Sequence, residues 1–260
     1  MAIILIQPVL VGCAGTRLVN PDFAVPRSAI EADQHRMIDD PRPAPRPMVV
    51  LGGWRTWDVS TRGLASRIRR LVGTDRTRVL SVSFLLKSDL ESMARKVIRR
   101  VEQRWPSDDP EQTIEVDVVG LSMGGLVARL AAAEPDPRTG KRLRIARLFT
   151  IGTPHRGAKL ADHIAIDRAA RQMRAGSALL RRLDSPSTES DYALVAYART
   201  NDRWVGATRS SPPGQDPIWT PGPRFMSHQT ISLDKWIITD IARRIRGEAP
   251  LGHPSAPPSD

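Results

Sequence analysis

An apolar run from Ile114 to Val119 ends in Gly120-Leu121-Ser122-Met123-Gly124-Gly125, and a helical run from Leu126 to Ala133 follows at once. A strand turns into a helix this abruptly only where small residues let the two pass closely and the apex residue accepts a strained backbone. Glycines at 120 and 124 meet the first demand, and such a turn leaves the Ser122 hydroxyl exposed at its tip. Gly-x-Ser-x-Gly carries little weight by itself. With Gly and Ser each at roughly 7% of residues, chance supplies about one match in ten chains of this length. The position between strand and helix makes the motif a nucleophile elbow rather than a fortuitous glycine-rich turn.

The rest of the body fits the same plan. Strand-like runs at Met48 to Leu51, Val79 to Phe84, Ile114 to Val119, Leu148 to Ile151 and Ala193 to Ala198 alternate with helical stretches near Thr61 to Leu71, 88 to 105 and 233 to 245. Such alternation predicts an α/β fold, a mostly parallel sheet with helices on both faces, and a site at the carboxyl ends of the strands. A length of 260 residues suits one large α/β domain or two small ones. The single cysteine, Cys13, excludes a disulfide framework and a cysteine-based zinc site. No apolar run reaches the roughly 18 to 20 residues that span a bilayer.

The net charge of +11 invites a nucleic-acid reading. Residues 62 to 104 hold most of it, but within them Leu90, Met93, Val97 and Val101 recur at helical spacing with the arginines on the opposite face. That is the pattern of a solvated helix face, and no nucleic-acid motif accompanies it. A basic patch drawn to anionic lipid or polysaccharide is the other reading.

The first residues, Ile3 to Val11, are apolar over the length of a signal-peptide core and end in Gly12-Cys13. Leu10-Val11-Gly12-Cys13 resembles a bacterial lipobox, although no Lys or Arg precedes the run. This implies a signal peptide over residues 1–12, lipidation of Cys13, and a bacterial cell-envelope location. The competing reading is a first strand with a buried free cysteine. Residues 13–47 close with Pro41-Arg42-Pro43-Ala44-Pro45-Arg46-Pro47 and read as a Pro-rich tether. The main body then runs over 48–246, and a tail over 247–260 reads as disordered.

A serine hydroxyl needs a base oriented by a carboxylate. Of five histidines, His35 falls in the expected tether and His253 in the tail, while His155 and His163 precede any plausible acid. His228, before the last amphipathic helix, is the candidate base. Asp202, just beyond the strand Ala193 to Ala198, is the candidate acid, whereas Asp191 precedes that strand and belongs to the wrong edge.

Taken together, the chain resembles the α/β-hydrolase superfamily, and within it the bacterial lipase and esterase branch, over roughly residues 48 to 245. The resemblance rests on Gly120 to Gly125, on Thr150-Ile151-Gly152-Thr153-Pro154-His155-Arg156-Gly157, and on Met173-Arg174-Ala175-Gly176-Ser177-Ala178-Leu179-Leu180. It implies that His155 shapes the site and that backbone N–H groups of Met123 and Trp54 form an oxyanion hole. One departure stands out. The family commonly carries His-Gly after its first core strand, where this chain has Gly52-Gly53; because the donor is a backbone group, the hole survives that change.

The expected activity is acyl-enzyme hydrolysis of carboxylic esters, with an ester or acyl-lipid as substrate, a membrane contact through Cys13, and no nucleic-acid partner. The stretch Ala158 to Leu183 mixes Ala and Leu with Arg168, Arg171, Arg174, Arg181 and Arg182, which favours a carboxylesterase or a lipase for moderate chains over a broad apolar lid. An acyltransferase, a thioesterase, and a non-catalytic binding protein on the envelope remain as alternatives. No cofactor is expected, and no metal, because the histidines and carboxylates lack ligand spacing.

Overall fold

The computed structural model describes residues 25–55, 57–85, 89–185 and 191–257. Among the described residues six strands form one sheet: β1 (Met48–Leu51), β2 (Val79–Val82), β3 (Val116–Leu121), β4 (Ile145–Ile151), β5 (Ala193–Arg199) and β6 (Ile218–Thr220). Their spatial order is β2-β1-β3-β4-β5-β6, and every neighbouring pair is parallel. Strands β1 and β3 are buried at every position. Continuous apolar runs such as Met48 to Leu51 are what a parallel strand covered on both faces requires.

Alternating side chains feed two cores. Val49, Leu51 and Val118 pack with α3 (Leu90–Arg104) and α4 (Met123–Ala133). Val50, Val119, Phe149 and Tyr197 pack with α2 (Asp58–Val72) and α8 (Lys235–Ile245) on the other side. In α3 the buried residues include Leu90, Met93, Val97 and Val101, as the spacing predicts. Among the described residues of the connection from β4 to β5 are three short helices, α5 (Lys159–His163), α6 (Arg168–Gln172) and α7 (Ala178–Leu183).

Two segments depart from the sequence reading. Residues 27–47, expected within a tether, belong to the packed body: α1 (Arg27–Asp39) lies against α2 and α8. Only Ile30 and Met37 of α1 are buried, so its apolar periodicity is faint. Polar contacts do much of the holding. Gln34 Nε2 donates to Thr239 Oγ1 at 2.8 Å, Arg243 meets Asp33 at 2.9 Å, and Arg36 meets Glu248 at 2.5 Å. Burial opposes the Glu248 charge, but hydrogen bonds from Arg36 and Arg246 hold its pKa down at about 2. The proline run is seated as well, with Ala44 N donating to Thr74 Oγ1 at 2.8 Å.

The C-terminal stretch is the second departure, since residues 247–257 lie along the body instead of forming a free tail. Buried Asp240 Oδ1 accepts from Leu251 N at 2.5 Å, and Trp219 Nε1 donates to Ser255 O at 2.9 Å. The expected signal peptide over 1–12 and Cys13 lie outside the described residues. Among the described residues no helix is long and apolar enough to cross a membrane.

Candidate active site

Ser122 sits between β3 and α4 with φ 52° and ψ −123°, a conformation L-residues rarely adopt. Strain of this kind costs about 1–3 kcal/mol and persists only where the surroundings impose it. Here Ser122 N donates to Ile151 O at 2.8 Å and Thr153 Oγ1 donates to Ser122 O at 2.7 Å. Close packing fixes both glycines of the motif. A Cβ at Gly120 would lie 2.5 Å from Gly125 Cα, and one at Gly124 would lie 2.6 Å from Leu51 O. The elbow therefore sits pressed against the end of β1.

The structure brings the three expected residues together. Ser122 Oγ donates to His228 Nε2 at 2.9 Å, and His228 Nδ1 donates to Asp202 Oδ2 at 2.7 Å. Asp202 leaves the carboxyl end of β5 in a turn whose amides face its other oxygen: Trp204 N and Val205 N both donate to Oδ1 at 2.9 Å. Burial disfavours the Asp202 carboxylate, yet His228 and these two amides together hold its pKa below the ordinary aspartate value. An ionised carboxylate only accepts, so the proton of a neutral His228 stays on Nδ1 and Nε2 keeps its lone pair for the serine.

Two residues that sequence reasoning missed complete this region. Trp204 stacks on the His228 ring with centroids 5.5 Å apart and planes inclined by 24°. Buried Arg199, the last residue of β5, ties the acid and base loops together. Its carbonyl accepts from Asp202 N at 3.1 Å, while its guanidinium donates to Ser227 O at 2.7 Å and to Thr230 Oγ1 at 2.8 Å, on either side of His228. It also pairs with buried Asp234 at 2.9 Å, whose other oxygen caps α8 through Trp236 N and Ile237 N. An arginine ending an apolar strand is the sole sequence trace of this brace.

Of the two expected oxyanion donors, one opens α4 and the other follows the end of β1. As the first residue of α4, Met123 presents an N–H that has no acceptor within the helix. Trp54 follows Gly52-Gly53 at the end of β1, and its indole Nε1 donates to Asp167 Oδ2 at 2.9 Å. The departure from His-Gly has a steric counterpart: a Cβ at Gly52 would lie 2.6 Å from Thr61 Oγ1, so α2 fills the room that a side chain would need.

A cavity of about 310 Å³ opens beside Ser122 and His228, with a mainly apolar lining that includes Trp54, Trp57, Leu160, Ile164, Met173 and Val205. His155 lies outside it, fully buried, with Nδ1 accepting from Arg129 Nη1 at 3.2 Å and Nε2 meeting Thr150 Oγ1 at 3.1 Å. His35, His163 and His253 are exposed, and Asp191 stands before β5 at the opposite edge of the sheet.

Comparison with known proteins bears on the fold first. The propeptide form of the lipase BlEst2 of Bacillus licheniformis superposes with a TM-score of 0.56 at 15% identity, covering 83% of this chain and 53% of that one. The mature form gives 0.51 at 16% identity, covering 74% and 88%. The chain thus has the α/β-hydrolase fold. At the sequence level, a family model described as a domain of unknown function (DUF7379) matches residues 84–191, a span that holds Ser122 but neither Asp202 nor His228. Triacylglycerol lipases of Pseudarthrobacter phenanthrenivorans and Burkholderia plantarii are 32% identical over 124 residues that take in 40% of this chain. The match spans 37% and 33% of those two relatives.

Proposed function

We propose that the protein is a serine hydrolase of carboxylic esters, with Ser122 as nucleophile, His228 as general base and then acid, and Asp202 as the carboxylate that orients the imidazole. The reading rests above all on the hydrogen-bonded chain from Ser122 Oγ through His228 to Asp202, at 2.9 and 2.7 Å. His228 Nε2 takes the hydroxyl proton as Ser122 Oγ attacks the ester carbonyl. Amides of Met123 and Trp54 hold the oxyanion. His228 then returns the proton to the departing alcohol, and water, deprotonated by the same nitrogen, releases the acid and restores the serine. The developing imidazolium lies between an ionised carboxylate and the face of Trp204, both of which favour a positive charge.

An apolar cavity of about 310 Å³ suits an acyl chain of moderate length. A fluorophosphonate probe tests the proposal. Wild-type protein is expected to label and to hydrolyse a chromogenic butyrate ester, and Ser122→Ala is expected to do neither while keeping its fold. A wild type that resists the probe overturns it. Anchoring of the chain in the bacterial envelope through lipidated Cys13 is a separate part of the proposal, and Cys13→Ser should then shift the protein from membrane to soluble fractions.

A further inference from the structure

The cavity mouth carries a charge that ester hydrolysis itself does not use. Among the described residues lining the cavity, Arg55 alone has a side chain of fixed charge. It follows the expected oxyanion donor Trp54, lies over that indole at 5.2 Å, and has φ 51°. A positive φ is uncommon for any residue but glycine and costs on the order of 1–3 kcal/mol, a strain found chiefly at sites that use the resulting geometry. The nearest carboxylate, Asp167, approaches Arg55 only to 3.7 Å, beyond hydrogen-bond range. Both Asp167 oxygens already accept bonds, from Ala170 N at 2.8 Å and Trp54 Nε1 at 2.9 Å. The guanidinium, 57% exposed and only loosely paired with Asp167, thus keeps hydrogen-bond donors available to a group that enters the mouth.

The surroundings share this sign. Arg203 and Arg224 are exposed on the loops that bear Asp202 and His228, while Arg168, exposed at the start of α6, is paired with Glu91 at 3.9 Å. On the same face Asp58 is paired with Arg62 and Asp162 with Arg209. Large exposed apolar side chains lie there too, including Trp57, Ile164, Trp204 and Phe225, each on a connection leaving the carboxyl end of a strand. An apolar cavity with a cationic, aromatic mouth matches an amphiphile: apolar atoms inside, an anion at the opening. With the acyl half in the interior, the alcohol half lies at the mouth beside Arg55.

We infer that the substrate is an ester whose alcohol half carries an anionic group, a carboxylate, sulfonate or phosphate, recognised by the Arg55 guanidinium. The inference rests on the ester-hydrolase reading and narrows it. Arginine suits the task, because its planar fork binds such oxyanions through two parallel hydrogen bonds.

The test compares 4-(butanoyloxy)benzenesulfonate with the neutral, nearly isosteric 4-(butanoyloxy)benzenesulfonamide. Wild-type kcat/KM is expected to favour the sulfonate by about tenfold or more, a gap of about 1.4 kcal/mol, and added salt should shrink it. In Arg55→Gln the ratio is expected to fall to about two, and in Arg55→Lys to lie between. Equal rates for the two esters in the wild type, or a ratio unmoved in Arg55→Gln, overturns the inference while leaving ester hydrolysis standing. Failure to cleave either ester overturns the proposed function itself. A second arm uses short-chain phosphatidylglycerol and phosphatidylcholine below and above their aggregation concentrations. Preference for phosphatidylglycerol in both regimes identifies recognition of the single anionic molecule; preference confined to aggregates assigns it to the charged surface and overturns the role given to Arg55.

Discussion

Two histidines lie beyond strand ends on the same side of the sheet, and their surroundings have opposite consequences. His155 follows β4 and His228 follows β6, and each has both ring nitrogens in hydrogen-bonding contact. At His228 the partner of Nδ1 is an ionised carboxylate; at His155 it is the guanidinium of Arg129. A guanidinium only donates, so His155 Nδ1 must accept and its proton sits on Nε2, facing Thr150. Burial first, then the charges of Arg129 and Arg156, push the His155 pKa far below its ordinary value. The same ring turns an accepting nitrogen to a serine in one setting and is a fixed neutral connector in the other, according to what faces a single nitrogen.

The comparison breaks first at the base. His228→Gln should lower kcat by about 10⁵- to 10⁶-fold, the scale for removing one member of such a unit. His155→Gln should leave kcat within about tenfold of wild type. Steady-state ester kinetics on the two variants decide it, and a large loss of kcat in a folded His155→Gln protein would erase the distinction. Next in size is Asp202→Asn, which replaces a pure acceptor by a group that can donate and so favours the wrong tautomer of His228. A loss of about 10⁴ in kcat is expected, with KM little changed.

Stability carries the next effect. Arg129→Met removes the donor from His155 Nδ1 and also frees Asp184 and the Leu183 carbonyl, bonded at 2.9 and 2.7 Å. A loss of about 2–4 kcal/mol in denaturant unfolding is expected, with the fluorophosphonate labelling rate of the folded protein retained. The pH dependence follows from the lowered His155 pKa. Below about pH 6.5 the unfolded chain takes up a proton that the folded chain refuses, so stability present above that pH falls as the pH drops towards the folded value. The slope from this residue approaches about 1.4 kcal/mol per pH unit and should vanish in His155→Gln. Asp202 adds a smaller acid-side loss, since its depressed pKa contributes stability above the ordinary aspartate value that disappears as the pH falls through the folded one. The mildest change is Trp204→Ala: removing a ring stacked on an imidazole that becomes charged should lower kcat by about two- to fivefold, the kinetic equivalent of about 0.5–1 kcal/mol.

Much of this was legible in the sequence because the relevant signals are local. An apolar strand, a glycine-bracketed serine and a helical run announce the elbow within twenty residues, while Asp202 stands out by its place after a strand and His228 by following that acid and preceding the last amphipathic helix. The missed elements lack a local signal. Helix α1 buries two residues seven apart and is otherwise held by polar bonds to α8; β6 is three residues long within a stretch rich in Pro and Gly. Arg199 looks like any arginine that closes a strand, because its partners lie 28 to 35 residues away. The pairing of Gly52 with Thr61 was equally hidden, since it depends on how α2 returns to the end of β1.

The Arg199 brace also orders events in time. Its guanidinium finds Ser227, Thr230 and Asp234 only when the last stretch of sequence before α8 is present, whereas the serine elbow lies 106 residues earlier than the histidine it needs. A chain leaving the ribosome from its N-terminus can therefore complete β1 to β4, with the serine already strained in its turn, and still have no base beside it. Under the proposed mechanism, hydrolysis would begin only as the final helix docks, and the onset of ester cleavage during translation would mark the arrival of α8.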